Sequence, residues 1–259
     1  MARALVTGAG VRLGRAMALY LAGRGHDVAV HYAGSRAAAE ATAAEIEGMG
    51  RRARALQADL LEEEQIAPLV DRAAEALGGP LTVLVNNASI FEYDRIETAT
   101  RESWDRHFGS NLRAPFVLTQ RFAAQAPTPA TDAAGEPVAQ ALVVNMIDQR
   151  VWKLTPEFAT YTLAKAGLWA LTRTAAQGLA PRVRVNAIGP GPTLQGVRQS
   201  EDHFARQRDA TVLRRGADAE GITAALGYFL DAAAVTGQML AVDGGQHLAW
   251  QTPDVLGPE

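Results

Sequence analysis

Short apolar runs rich in β-branched residues alternate along the chain with longer, Ala-rich amphipathic stretches. The runs are ALV at 4–6, VAVHY at 28–32, RARALQ at 52–57, LTVLVNN at 81–87, QALVVNMI at 140–147, RVRVNAI at 182–188 and QMLAVDG at 238–244. Stretches between them, such as RAMALYLAGRG and SRAAAEATAAEIEGMG, carry helical spacing and close near glycine, where a helix C-cap belongs. Near-continuous apolar strands imply burial on both faces, and connections of this length suit right-handed crossovers. The pattern predicts an α/β protein of one domain, 1–259, built as a doubly wound parallel sheet with helices on both faces.

Two segments interrupt the alternation. Residues 126–138 are rich in Pro, Gly and small side chains, which predicts an exposed surface loop before the fifth strand. Residues 189–216 follow the sixth strand as an irregular excursion that returns to helix only near Asp218, the place of a lid or binding loop.

Composition narrows the functional class. A chain of 259 residues with 48% hydrophobic and 20% charged residues is ordinary for a soluble globular protein. The formal charge is −3 and the basic residues are spread out, so neither a nucleic-acid footprint nor one for an anionic membrane is present. The absence of cysteine excludes disulfides, thiolate metal sites and a Cys nucleophile, and the five His are scattered, so no metal is expected. The N-terminal MARALVTGAG enters a strand directly, without the layout of a signal peptide, and no apolar run approaches about 18 residues. A cytoplasmic location is the default expectation.

The segment VTGAGVRLGRAMA at 6–18 leaves a strand, turns through Gly8 and Gly10 and enters a helix with Gly14 in its first turn. Glycines there permit positive φ and close backbone approach, and a helix N-terminus offers free N–H groups to a pyrophosphate. The same glycines also serve a bland strand-to-helix turn. The second strand ends HYAGSR, without the acid that binds an unphosphorylated ribose; Ser35 and Arg36, with His31 nearby, favour the 2′-phosphate of NADP(H). Ser35 could equally act as an N-cap for the next helix.

Tyr161 and Lys165 stand four residues apart on a predicted helix and share a face. Asp148, thirteen residues before the tyrosine, is either a turn residue closing a strand or part of the same site. As an ionised carboxylate it can only accept hydrogen bonds, unlike a hydroxyl.

In order and spacing, TGAGVRLG, Asp59, VNNAS at 85–89, Asn111, YTLAK at 161–165, VNAIGPGPT at 185–193 and AVDGGQHL resemble the short-chain dehydrogenase/reductase family over nearly the whole chain. The resemblance implies a Rossmann-type seven-stranded sheet ordered 3-2-1-4-5-6-7 and usually a homotetramer. It implies catalytic Asn111, Tyr161 and Lys165, with Asp148 in place of the usual Ser. Cofactor contacts are implied at Gly8, Gly10, Arg12, Leu13 and Gly14, at His31, Ser35 and Arg36, and at Asp59. Further ones are implied at Asn87, Ala88 and Ser89, at Tyr161 and Lys165, and at Pro190 and Gly191. Arg12 in the glycine loop, HYxxS, NNAS followed by Phe91, and Asp148 are together similar to the pteridine reductase subgroup, which includes dihydromonapterin reductases. That likeness implies a pterin held between nicotinamide and Phe91, with Arg12, Asp148 and Tyr161 also touching substrate.

A free tyrosine titrates near 10, so ionising it at pH 7 costs roughly 4 kcal/mol; Lys165 and a cationic nicotinamide are expected to lower that cost. Asn111 is implied to order a water in the proton path. Phe91 is either a stacking platform or a core residue. Three functions stay open: a reductase of pterin or dihydrofolate C=N bonds, a reductase or dehydrogenase of carbonyl or hydroxyl substrates, and a non-catalytic NADP(H) sensor.

Overall fold

The computed structural model describes residues 2–196 and 199–250. Seven parallel strands form its centre: β1 Arg3–Val6, β2 Asp27–Tyr32, β3 Ala53–Gln57, β4 Val83–Asn86, β5 Ala141–Met146, β6 Val183–Pro190 and β7 Met239–Val242. They lie in the order β3-β2-β1-β4-β5-β6-β7, the expected doubly wound sheet. The main helices are α1 Arg12–Gly23, α2 Arg36–Gly48, α3 Leu69–Leu77, α4 Arg101–Phe108, α5 Ala114–Gln125, α6 Ala159–Leu179, α7 Glu201–Asp209 and α8 Ala219–Asp231.

Successive strand residues point to opposite faces, and the sequence supplies apolar side chains to both. Ala4, Val6, Val28, Val30, Val83, Val85 and Val144 pack with Met17 and Leu21 of α1, Ile46 of α2 and Phe229 of α8. The intervening Leu5, Ala29, Leu84 and Val143 pack with Leu69 and Leu77 of α3 and with Leu118 and Phe122 of α5. A one-residue slip in any central strand would exchange these two cores, so the register is strongly set.

Buried amides tie the strand ends that carry chemistry. Asn86 and Asn145 are paired across β4 and β5, and Asn86 Nδ2 donates to Asn145 Oδ1 at 2.8 Å. Asn145 Nδ2 donates in turn to Thr172 Oγ1 of α6 at 2.9 Å. The carboxyl ends of β4 and β5 are thus tied to the helix bearing Tyr161.

Two loop expectations change. Within 126–138 the chain forms a small antiparallel hairpin, Ala130–Thr131 against Pro137–Val138. Within 189–216 lies the regular helix α7, capped by Ser200, whose Oγ accepts from His203 N–H at 3.2 Å. Ser200 followed by Glu201 and Asp202 is an ordinary N-terminal signal. With Phe204 as its only large apolar residue, α7 lacks the periodicity by which helices are usually read.

Candidate active site

At the carboxyl ends of the strands, β1, β4, β5 and β6 and the loop before α7 enclose a cavity of about 1430 Å³. It brings together Gly8, Arg12, Leu13, Gly14, His31, Asp59, Asn87, Ala88 and Ser89 with Phe91, Asp148, Tyr161, Lys165, Pro190 and Gly191. Gly10, Ser35, Arg36 and Asn111 do not line it.

The glycine turn is built to bring backbone close to the cavity. Gly8 has φ +62°, which favours a residue without Cβ. A Cβ on Gly14 would lie 2.1 Å from Gly8 O and 2.6 Å from Asn87 Nδ2. Thr7 Oγ1 accepts from both Asn87 N–H and Ala88 N–H at 2.9 Å, and Asn87 Nδ2 donates to Thr7 O at 2.8 Å. The turn and the β4 end are thus one structure. Arg12 adopts the left-handed conformation at φ 52°. Its guanidinium donates to Gln195 O at 2.9 Å and Leu194 O at 3.0 Å, tying the glycine loop to the loop before α7.

His31 stands behind this turn instead of presenting a polar edge to a phosphate. It is only 1% exposed. Gly8 N–H donates to its Nδ1 at 3.1 Å, and its Nε2 meets Ala58 O at 3.0 Å. Both contacts are satisfied by the neutral Nε2–H tautomer, and burial lowers the pKa to about 4. Ser35 occupies the N-cap position of α2 but accepts no cap hydrogen bond. Arg36 pairs with Glu40 at 2.8 Å on the surface.

Asp148 does both things the sequence left open. It is the N-cap of the short turn Gln149–Val151, where Oδ1 accepts from Arg150 N–H at 2.8 Å. Its other oxygen, Oδ2, accepts the Tyr161 hydroxyl at 3.0 Å. Burial raises the Asp148 pKa, opposed mainly by Arg150. Burial, then the Asp148 carboxylate, raises Tyr161 well above 10, while a Ser89 hydrogen bond works in the opposite direction. Lys165 donates to Met146 O at 2.8 Å, and burial lowers it to about 8. In the protein alone, then, Lys165 does not bring Tyr161 down as expected. The tyrosine is held as an acid.

Asn111 lies in a π-helical turn, Gly109–Arg113, a local form common at functional sites. Its Oδ1 accepts from Ile90 N–H at 2.9 Å and its Nδ2 donates to Ile90 O at 2.8 Å. Both ends of the amide hold the segment leading to Phe91, so a water relay through this residue has to use its backbone.

Phe91 is 44% exposed, so it is not a core residue. Its ring stacks on Phe158 at 4.2 Å and meets Tyr161 edge-on at 4.7 Å. The Arg150 guanidinium lies 5.1 Å from the Phe158 ring centre. Phe158 has φ 57° and directly precedes α6. It was not identified from sequence, since no residue-type signal marks a left-handed phenylalanine; position three before Tyr161 was the only clue. Among the described residues, no group of His, Asp and Glu is placed to hold a metal, and no helix is long and apolar enough to cross a membrane.

Residues 8–247 match the family model described as enoyl-(acyl carrier protein) reductase. The chain is similar to the 3-oxoacyl-(acyl-carrier-protein) reductase FabG of Staphylococcus epidermidis, 31% identical over 250 residues that cover 95% of this chain and 98% of that protein. It is also similar to the solved structure of FolM alternative dihydrofolate reductase 1 from Brucella suis in complex with NADP, at 44% identity and TM-score 0.90 over 98% of both chains. The corresponding Brucella canis protein, complexed with NADP, is 42% identical with TM-score 0.89 over 99% of this chain and 98% of that one.

Proposed function

Because the chain belongs to the short-chain dehydrogenase/reductase family, we propose that it is an NADP(H)-dependent reductase of a pterin or dihydrofolate-type C=N bond. The observation that carries the substrate class is the Tyr161 hydroxyl on Asp148 Oδ2 beside the exposed ring of Phe91. The two Brucella structures carry dihydrofolate reductase names and NADP, which supports the same reading.

The residues fit the cofactor. The cradle that a Cβ on Gly14 would fill suits a pyrophosphate against the N-terminus of α1. Ser35, with no capping partner, and Arg36, held only by a surface ion pair, suit the 2′-phosphate. Asp59, Asn87, Pro190 and Gly191 bound the nucleotide, and Lys165 takes the nicotinamide ribose. When bound, NADPH supplies a hydride to the substrate carbon. Phe91 then presents a ring face to a flat heterocycle, and Tyr161 holds the proton at its phenolic oxygen. Asp148 Oδ2 takes hydrogen bonds from heterocycle N–H groups when ionised, and its raised pKa lets it, when protonated, replace the single proton that passes to the imine nitrogen with each hydride.

An ordinary ketone, as the FabG likeness would suggest, needs a donor where an ionised Asp148 offers only an acceptor. The deciding experiment follows NADPH absorbance with dihydrobiopterin, dihydromonapterin and dihydrofolate, in the wild type and Asp148→Ser. Turnover by the wild type and its loss in the serine variant are expected. Improved ketone reduction with retained pterin turnover would contradict the role given to the acid. The same reading takes the enzyme as a cytoplasmic homotetramer, consistent with Trp104, Phe116 and Leu163 left exposed on α4, α5 and α6.

A further inference from the structure

His107 on α4 is a fully buried titratable side chain outside the cavity wall, and none of the chemistry above uses it. Its Nδ1 lies 2.7 Å from Thr160 Oγ1. The Thr160 hydroxyl donates to Asp94 Oδ2, so Oγ1 is left to accept, and Nδ1 must carry the hydrogen. Nε2 is then an acceptor, and it receives Glu92 N–H at 3.1 Å. One tautomer of neutral imidazole satisfies every partner.

Asp94 completes the arrangement. Its Oδ1 accepts from Thr160 N–H at 3.2 Å, its Oδ2 accepts from Ser103 Oγ at 3.1 Å, and its backbone oxygen accepts from Phe158 N–H at 2.7 Å. The segment carrying Phe91 is thereby tied, through buried groups, to the first turn of the helix carrying Tyr161. These contacts span 53 residues between His107 and Thr160 and 66 between Asp94 and Thr160.

We propose that His107, Thr160 and Asp94 form a clamp that fixes the spacing of Phe91 from Tyr161, and that the clamp holds only while His107 is neutral. A proton on Nε2 would point at the Glu92 N–H and expel it. The charged and titratable groups around His107 are Asp94 and Glu92 from the preceding loop, Arg106 on its own helix and Tyr161 on α6, whose ring lies 5.9 Å away. Glu92 is itself held by Arg106 at 2.8 Å. Burial lowers the His107 pKa, in the direction the clamp requires. These three are positioning residues, and their effect on a flat substrate rests on the reductase reading above.

Residue-resolved hydrogen exchange tests the clamp without any substrate. His107→Asn keeps a donor near Nδ1 and loses the acceptor for Glu92, so the Glu92 amide should exchange at least roughly tenfold faster. His107→Gln places an acceptor near Nε2 and should keep that protection, and only the wild type should lose it as the solution is acidified. With a dihydropterin, Thr160→Val should raise KM roughly tenfold while NADPH affinity stays within about twofold, and Thr160→Ser should restore KM. Unchanged Glu92 protection in His107→Asn, or equal losses of substrate and NADPH affinity in Thr160→Val, would overturn the clamp. If the wild type turns over no dihydropterin, the substrate reading fails, and the exchange result still decides the clamp.

Discussion

Tyr161 donates its hydroxyl hydrogen to Asp148 Oδ2 across 3.0 Å, so the tyrosine of the YTLAK segment faces an acceptor. Burial lifts both groups toward their protonated forms, and the Asp148 charge lifts Tyr161 further. The pair therefore keeps its protons to higher pH than free side chains would. Asp148→Asn preserves the shape but removes the titration, and kcat for C=N reduction should fall roughly 100-fold with NADPH affinity unchanged. In the wild type the rate should decline as pH rises through the elevated Asp148 pKa, whereas the variant should lack that limb. Superimposable pH–rate profiles would reduce Asp148 to a turn residue.

Ser35 stands at an N-cap without capping, and Arg36 reaches only to Glu40 at 2.8 Å. A surface pair at this spacing is weak enough for a phosphate to displace. Replacing both residues with Ala should weaken NADPH by roughly 10- to 100-fold, the worth of one or two charge-assisted hydrogen bonds, and change NADH by less than about twofold. Fluorescence titration of the two cofactors measures the difference. Equal losses would place the 2′-phosphate elsewhere.

The strands were legible because their signals are local, whereas Tyr161, Lys165 and Asp148 were legible as a set only through the order and spacing of the family segments around them. Burial on both faces writes continuous apolar runs such as Ala141–Met146, and four-residue spacing puts Tyr161 and Lys165 on one helix face. The aromatic stack was only half legible. Phe91 follows a recognisable segment, whereas Phe158 depends on a left-handed backbone fixed by Asp94 O from far along the chain. His107 was invisible for the same reason, since its meaning lies in partners at Glu92 and Thr160. His31 was read as a cofactor contact from the HYxxS segment; it lines the cavity, but both its ring nitrogens meet backbone groups and make it a support.

Arg12 combines a left-handed backbone with two bonds to the loop before α7. Two substitutions separate these features. Arg12→Ala and Arg12→Gly both lose the guanidinium, but only glycine relieves the positive φ, so the glycine variant should be the more stable by about 1 kcal/mol. Both should loosen the backbone at Leu194 and Gln195 to the same extent by hydrogen exchange. Denaturant midpoints measure the stability difference, and identical midpoints would mean that no strain is held at this position.

His31 makes the glycine turn sensitive to acid. Its Nδ1 accepts Gly8 N–H only while unprotonated, and its folded pKa of about 4 lies below the ordinary value of 6.5. For a base with a depressed folded pKa, the unfolded chain takes up the proton first as pH falls. The stabilising contribution is therefore complete above pH 6.5 and is lost as pH falls from there through about 4, amounting to about 3 kcal/mol. His31→Gln cannot titrate, so its unfolding free energy should fall less over this window than that of the wild type, whatever its absolute stability at neutral pH. NADPH affinity should instead hold through most of this window and fall only near and below about pH 4, where the folded His31 takes up its proton, turns a donor toward Gly8 N–H and displaces the turn that receives the pyrophosphate. Denaturant titrations at several pH values from 7 to about 4 compare the slopes. Parallel curves for the two proteins would show that His31 titrates alike in the folded and unfolded states and contributes nothing to the turn.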